Sequence, residues 1–312
     1  MGIGFPKENA TKHKQRARGP LLNHLDEPPP AFKAPPLSCD AHFHVFGPAD
    51  RYPHGGVNEN LRYAPPLAPL PDYMELARHL GMERFVFVQP SAYGRDNSCM
   101  LDAMREVGIA RCRGVVDVDE DAPDTLLAEM DKLGVRAVRI NQSPIKQPEP
   151  GFAEKWAKRI ERIDARCAEV GWHVDFLNPG WLTEELLPVF ARMRCPCTVA
   201  HMGMFLAKDG PGQRGFQKML DVLRHGDGRM WVKLTGTYRM ATLPAMADAK
   251  PMARALIEAA PDRLIWGSDY PHLSFADKVG SVQLFNLLAD WAPDEATRRR
   301  ILVDNPAALF GF

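Results

Sequence analysis

The chain has 312 residues, of which 45% are hydrophobic and 25% are charged, an ordinary composition for a soluble globular protein. Its 39 basic residues balance 39 acidic ones, so the charge gives no indication of a nucleic-acid or anionic-membrane partner. No apolar stretch approaches the ~18 residues that a membrane span needs, and the N-terminus lacks the apolar core of a signal peptide. The six cysteines are scattered without a CxxC pair. We therefore expect a cytoplasmic protein.

The first 36 residues differ in composition from the rest of the chain. They are polar and basic from Lys12 to Arg18 and then proline-rich, with Pro28-Pro29-Pro30 and Pro35-Pro36. Such a composition predicts a flexible, extended N-terminal arm over residues 1–36. Residues 37–312 are expected to form one domain.

From Leu37 onward, short segments rich in Val, Ile and Phe alternate with amphipathic segments. The short segments are almost continuously apolar, as in parallel strands that are buried on both faces. Eight strands, each followed by a helix, predict an α/β fold of the (β/α)8 TIM-barrel type. No GxGxxG follows any of them, so a dinucleotide-binding fold has no support. The expected strands are 37–45, 84–89, 112–118, 135–141, 173–178, 197–203, 230–236 and 263–269.

The first strand carries the pair His42 and His44. Side chains alternate along a strand, so both imidazoles point the same way while Phe43 points the opposite way. Two imidazoles on one face can hold a metal ion or polarise a carbonyl group. Because the ends of barrel strands converge, further polar residues at or just beyond these ends should share the site. These are Ser91, Arg139, His201, Arg239, Asp269 and His272.

This set is typical of a hydrolytic site. Asp269 could take a proton from water as a general base, and His201 with the two strand-1 histidines could polarise a carbonyl and stabilise an oxyanion. The guanidinium groups of Arg139 and Arg239 suit a carboxylate. Structural alternatives stay open: an ion pair for the aspartate, a core position for His201, and an ion pair or solvent exposure for the arginines.

Four segments resemble the amidohydrolase superfamily, and within it the branch of 2-pyrone-4,6-dicarboxylate lactonase and related lactone hydrolases. They are Asp40–Pro48, His201–Gly203, Trp266–His272 and Asp304–Gly311. The resemblance implies a hydrolase in which water attacks the ring ester carbonyl of a carboxylated lactone. Such reactions belong to the catabolism of aromatic compounds or sugar acids.

The resemblance also implies roles for individual residues. Asp269 corresponds to the base, and the three histidines surround the carbonyl. Positions of substrate contact in the lactonase correspond to Tyr63, Ser91, Arg139, Arg239 and His272.

Three positions depart from the pattern of the lactonase. Met204 replaces an arginine, Leu177 replaces a tyrosine, and Lys146 matches a basic residue only loosely. A pocket with fewer cations predicts a substrate with fewer, or differently placed, carboxylates.

Metal-dependent superfamily members add a strand-5 histidine, which residues 173–178 lack near their C-terminal end. We therefore expect no cofactor; were Zn2+ or Mn2+ bound, His42, His44 and Asp269 would hold it. Alternatives are a metal-dependent non-oxidative decarboxylase, a lactone isomerase, and a barrel that only binds. The expected partner is a small anionic lactone, with no nucleic acid and no membrane, and a homo-oligomer stays open.

Overall fold

The computed structural model describes residues 27–54, 65–142 and 151–312. Eight parallel strands lie side by side in chain order, which confirms the predicted (β/α)8 barrel. The strands are β1 Cys39–Phe43, β2 Arg84–Val88, β3 Cys112–Val116, β4 Val135–Asn141, β5 His173–Leu177, β6 Cys197–Val199, β7 Met230–Leu234 and β8 Leu264–Trp266.

Helices follow the strands and pack against the outer face of the barrel. They are α1 Leu70–Leu80, α2 Ser98–Val107, α3 Asp124–Lys132, α4 Phe152–Val170, α5 Gly180–Phe190, α6 Arg214–His225, α7 Ala249–Ala259, α8 Ser281–Trp291, α9 Glu295–Arg299 and α10 Asn305–Phe310. Aromatic pairs join the two layers: Phe43 stacks on Tyr73 at 3.6 Å, and Phe176 lies 4.5 Å from Phe190. Within the described ranges, no helix combines the length and apolar character of a membrane span.

Besides the apolar residues packed between the strands and the helices, a separate apolar cluster fills the interior of the barrel near its N-terminal end. It contains Cys39, Ala41, Val86, Val88, Val115, Ala137, Trp231, Ile265 and Phe310. Arg113 donates a hydrogen bond to the carbonyl of Phe310, and the ring of His173 lies 5.0 Å from the Phe310 ring. Among the described residues, side chains therefore fill this end of the barrel, and the polar side chains of the site lie at the other end.

The first and last strands meet through hydrogen bonds that involve the site segments themselves. The amide of Asp269 donates to the carbonyl of His42 at 2.8 Å, and the amide of His44 donates to the carbonyl of Tyr270 at 2.9 Å. A Cβ at Gly267 would lie 2.6 Å from the backbone nitrogen of His42. Only glycine therefore permits this close approach.

Seven of the eight strands end earlier than the sequence predicts, and the difference is largest in β6, which ends at Val199, and in β8, which ends at Trp266. The extended conformation expected up to 203 and 269 is wrong there, because φ is positive at His201 (53°), Met202 (50°) and Asp269 (56°). Non-glycine residues rarely adopt this region, and strained backbone of this kind clusters at functional sites.

The described part of the predicted arm, residues 27–36, contacts helix α8. Phe32 stacks on Phe285 at 4.4 Å, and the amide of Ala31 donates to Asn286 at 2.7 Å. The amide of Gln283 donates to the carboxylate of Glu27 at 2.7 Å. Residues 1–26, for which the sequence predicts a flexible arm, lie outside the described residues.

Candidate active site

Asp269 is the centre of the candidate site. It lies just beyond β8 and is only 1% exposed. Its Oδ1 is 3.5 Å from His42 Nε2 and 3.6 Å from His44 Nε2, and its Oδ2 is 3.7 Å from His201 Nε2. The structure thus brings together the four residues that the sequence analysis placed at the reacting centre.

The second oxygen of Asp269 is held by two neighbouring residues that follow β7. Tyr238 donates its hydroxyl to Oδ2 at 2.6 Å, and Arg239 donates from Nε to the same oxygen at 3.1 Å. Arg239 also donates to the Tyr238 hydroxyl at 3.2 Å. Sequence reasoning missed Tyr238, although its position next to Arg239 was a usable signal.

The four central groups have strongly shifted pKa values. Burial disfavours ionisation of Asp269, but the charge of Arg239, together with the neighbouring histidines, outweighs it and holds the pKa of Asp269 well below its ordinary value. Burial lowers the pKa of His42 and of His44, and lowers that of His201 to about 3. At neutral pH, an ionised carboxylate therefore faces three neutral imidazoles.

The hydrogen bonds of His44 determine which of its nitrogens carries the hydrogen. His44 Nδ1 is 2.7 Å from the carbonyl oxygen of Val88. A carbonyl can only accept, so Nδ1 is the donor. The Nε2 of a neutral His44 therefore presents a lone pair towards Asp269.

His201 is positioned by the segment that follows β7. Its Nδ1 lies 2.7 Å from the hydroxyl oxygen of Thr235. A Cβ at Gly236, where φ is +55°, would lie 2.3 Å from this ring nitrogen. A glycine at this position is therefore required for the observed place of the imidazole.

A buried ion pair lies against the other side of His42. Lys233 Nζ is 3.3 Å from His42 Nδ1 and 2.6 Å from Asp175 Oδ1, and Thr198 donates its hydroxyl to the same carboxylate oxygen. The side chains of Lys233 and Asp175 are fully buried. Sequence reasoning missed this pair, because both residues lie inside segments that were assigned only as buried strands.

The remaining candidates have different surroundings. Arg139 is buried and donates to the carbonyl of Gln89 at 2.8 Å. Burial is the main cause of the lowered pKa of His201, and the charges of Arg239 and then Arg139 lower it further. His272 Nε2 pairs with the Ser281 hydroxyl at 2.8 Å, and burial lowers the pKa of His272 to about 4.

Three residues remain from the sequence analysis, and the structure describes one of them. Ser91 begins a short helical turn after β2 and is half-buried. Tyr63 and Lys146 lie outside the described residues.

His42, His44 and Asp269 place one ligand atom each within 4.8 Å of one another. The lone pair of His44 and the Oδ1 of Asp269 suit a divalent cation. His42 does not suit it, because a lysine ammonium faces its other nitrogen, where metal-bound histidines usually donate to a carboxylate or a carbonyl. The group has the spacing of a metal site, but its hydrogen bonds do not fit one.

The fold and this arrangement of acid–base groups define a barrel hydrolase. The amidohydrolase family model matches residues 39–312, so the chain belongs to the amidohydrolase family. This confirms the superfamily resemblance seen in the sequence.

Curated relatives extend the match over most of the chain. A 4-sulfomuconolactone hydrolase from Hydrogenophaga intermedia is 37% identical over 97% of this chain and 97% of its own length. A 2-pyrone-4,6-dicarboxylate hydrolase from Comamonas testosteroni is 31% identical over 90% of this chain and 92% of its own length. Among solved structures, a Pseudomonas putida protein assigned as a 2-pyrone-4,6-dicarboxylic acid hydrolase is 33% identical, with a TM-score of 0.74. It covers 88% of this chain and 97% of its own.

Proposed function

We propose that the protein hydrolyses a lactone that carries an anionic group, as a step in the breakdown of aromatic compounds. The observation that carries the proposal is the asymmetry of Asp269. Its Oδ2 is held by Tyr238 and Arg239, whereas its Oδ1 has no hydrogen-bond partner in the described part of the chain and faces two imidazoles. Oδ1 is therefore available to accept a proton as a general base, while the bonds to Oδ2 hold the carboxylate in place.

Within the proposed reaction, Asp269 Oδ1 takes a proton from a water molecule as its oxygen bonds to the ring carbonyl carbon. His44 supports this step, because its Nε2 lone pair can accept a hydrogen bond from the same water. The carbonyl oxygen becomes negative and is stabilised by hydrogen-bond donors. In the proposed reaction these donors are the imidazoles of His42 and His201, which lie beside Asp269. The ring C–O bond then breaks, and the ring oxygen leaves with a proton.

Two cationic side chains support an anionic substrate. Arg139 is buried at the end of β4, and Arg239 lies beside Asp269 with 23% of its side chain exposed. The named relatives act on a sulfonated lactone and on a pyrone dicarboxylate, which are both anionic. Leu177 and Met204 are apolar, so we propose a substrate with fewer carboxylates than the pyrone dicarboxylate.

The test is a comparison of purified protein on 4-sulfomuconolactone, 2-pyrone-4,6-dicarboxylate and a set of monocarboxylated lactones. We expect loss of the ring ester with one proton released per turnover, and a higher kcat/KM for a lactone with a single anionic group. The Asp269→Asn variant is the control for background hydrolysis. Products identified by NMR decide the reaction type: an isomeric lactone or released CO2 in place of the ring-opened acid would overturn the proposal.

A further inference from the structure

The ion pair of Lys233 and Asp175 lies inside the barrel, where a charge is costly unless it is compensated. Asp175 Oδ1 is 2.6 Å from Lys233 Nζ and also accepts from Thr198. Burial opposes the ionisation of Asp175, but Lys233 outweighs it and the pKa of Asp175 lies below its ordinary value. Burial also lowers the pKa of Lys233. The close contact of its Nζ with a carboxylate oxygen that accepts from Thr198 as well opposes this effect and keeps the pair ionised, so Lys233 faces His42 as an ammonium group.

An ammonium group has three hydrogen-bond donors and no acceptor. Since Lys233 Nζ is 3.3 Å from His42 Nδ1, this nitrogen must be the acceptor. A neutral imidazole carries one hydrogen, so the hydrogen of His42 is on Nε2. That atom is buried, lies 3.5 Å from Asp269 Oδ1, and has no hydrogen-bond partner within the described ranges.

We propose that Lys233, fixed by Asp175, is a positioning residue that holds His42 with its hydrogen on Nε2. His42 is thereby a donor to the lactone carbonyl oxygen and is not a metal ligand. The donor role rests on the proposed function, whereas the position of the hydrogen does not. His44 has the opposite arrangement, with its hydrogen on Nδ1 and a lone pair on Nε2.

The arrangement has a direct consequence for metal binding. A metal ion binds a histidine nitrogen through its lone pair. For His42 to bind through Nε2, its hydrogen would have to move to Nδ1, where it would point at the Lys233 ammonium. One histidine of the HxH pair is thus ready to bind a cation and the other is prevented from doing so.

The position of the hydrogen can be measured on the unmodified protein. Two-bond 1H–15N correlation spectra distinguish protonated from unprotonated ring nitrogens, and a His42→Asn variant assigns the signals. We expect His42 to show a protonated Nε2 and His44 a protonated Nδ1. A protonated Nδ1 on His42, or one tightly bound zinc ion per chain in the purified protein, would overturn the proposal. Neither measurement needs a substrate, so failure of the lactone assay leaves it standing.

Variants test whether Lys233 is what keeps the hydrogen of His42 on Nε2. Lys233→Met combined with Asp175→Asn removes both buried charges together, and Thr198→Val removes a neighbour of the pair that does not bond His42. We expect the double variant to bind zinc at least tenfold more tightly than the wild type in a chelator competition, and kcat to fall at least tenfold with little change in KM. Lys233→Gln, whose amide can donate to Nδ1, should restore part of kcat. Equal zinc affinity in the double variant and in Thr198→Val would overturn the role of Lys233.

Discussion

Tyr238 donates its hydroxyl hydrogen to Asp269 Oδ2 at 2.6 Å, and this bond makes the two oxygens of the carboxylate unequal. Arg239 donates to the same oxygen at 3.1 Å. The carboxylate is therefore fixed in rotation, with Oδ1 directed at the strand-1 histidines. A base that is held in one orientation loses less entropy when it reacts.

Asp269→Asn should lower kcat by about 10²–10⁴-fold while the fold is retained, because an amide cannot accept the proton of water. Asparagine tolerates the positive φ of 56° at this position better than most residues, so the backbone should not change. Steady-state kinetics and thermal unfolding measure the two effects separately. More than about a tenth of the wild-type activity would contradict the assignment of the base.

Tyr238→Phe should lower kcat roughly tenfold and leave KM nearly unchanged, because it removes one donor from Asp269 Oδ2. A hydrogen bond to a charged group contributes about 1.5–3 kcal/mol, so the free energy of unfolding should also fall. The aromatic ring and its contact with Phe275 at 5.0 Å are preserved, which limits other damage. Wild-type kcat in this variant would show that the anchoring of Oδ2 is not important for turnover.

Arg139→Met and Arg239→Met should both raise KM for an anionic lactone, on the order of tenfold, if each guanidinium group binds the substrate anion. Only Arg239 contacts Asp269, so only its variant should also lower kcat substantially. Arg136→Met is the matched control, because Arg136 lies on the same strand but pairs with Asp131 at 2.9 Å. An unchanged KM in both test variants would show that neither arginine binds the anionic group of the substrate.

Acid should destabilise the protein partly through His173. Burial lowers the pKa of His173 from 6.5 to about 3, so between these values the unfolded chain binds a proton that the folded protein does not. The free energy of unfolding therefore falls as the pH falls, by about 1.4 kcal/mol per pH unit for one histidine. Asp40 acts in the opposite sense, because burial raises its pKa to about 6.

Comparing the pH dependence of unfolding in the wild type and in a His173 variant isolates the contribution of His173, because both proteins contain Asp40. Between about pH 4 and 6, His173→Gln should reduce the slope of the free energy of unfolding against pH by about 1.4 kcal/mol per pH unit, which corresponds to one proton. Denaturant titrations across this range measure the slope, and the exposed His225→Gln provides the control. Parallel curves for wild type and His173→Gln would contradict the prediction.

The barrel could be predicted from the sequence because its strands are buried on both faces and so have an unmistakable apolar pattern. The same regularity placed His42, His44 and Asp269 at one end, since all strands of a parallel barrel end on the same side. The predicted ends of β6 and β8 were wrong, because His201 and Asp269 do not continue the strands. Their left-handed backbone is set by tertiary contacts such as Asp269 N to His42 O, which no local pattern reveals.

The polar contacts between strands could not be predicted in the same way. Lys233 reaches His42 because of the stagger of the barrel, and a sequence of eight strands does not specify that stagger. Arg239 was expected to contact solvent or a substrate. It contacts Asp269 instead, because the turn after β7 brings its side chain to the C-terminal end of the barrel. Such contacts are decided by the register of distant segments.

The closing of the barrel by its first and last strands affects when the site comes into existence. Ser268 donates to Asp40 at 2.9 Å across 228 residues of sequence, so the base and the two strand-1 histidines meet only when the final strand has docked. Contacts of this separation form late, because a long loop must be closed before they stabilise anything. Recovery of turnover after dilution from denaturant should therefore lag behind recovery of helical circular dichroism, and a nascent chain that lacks the eighth strand has no assembled site.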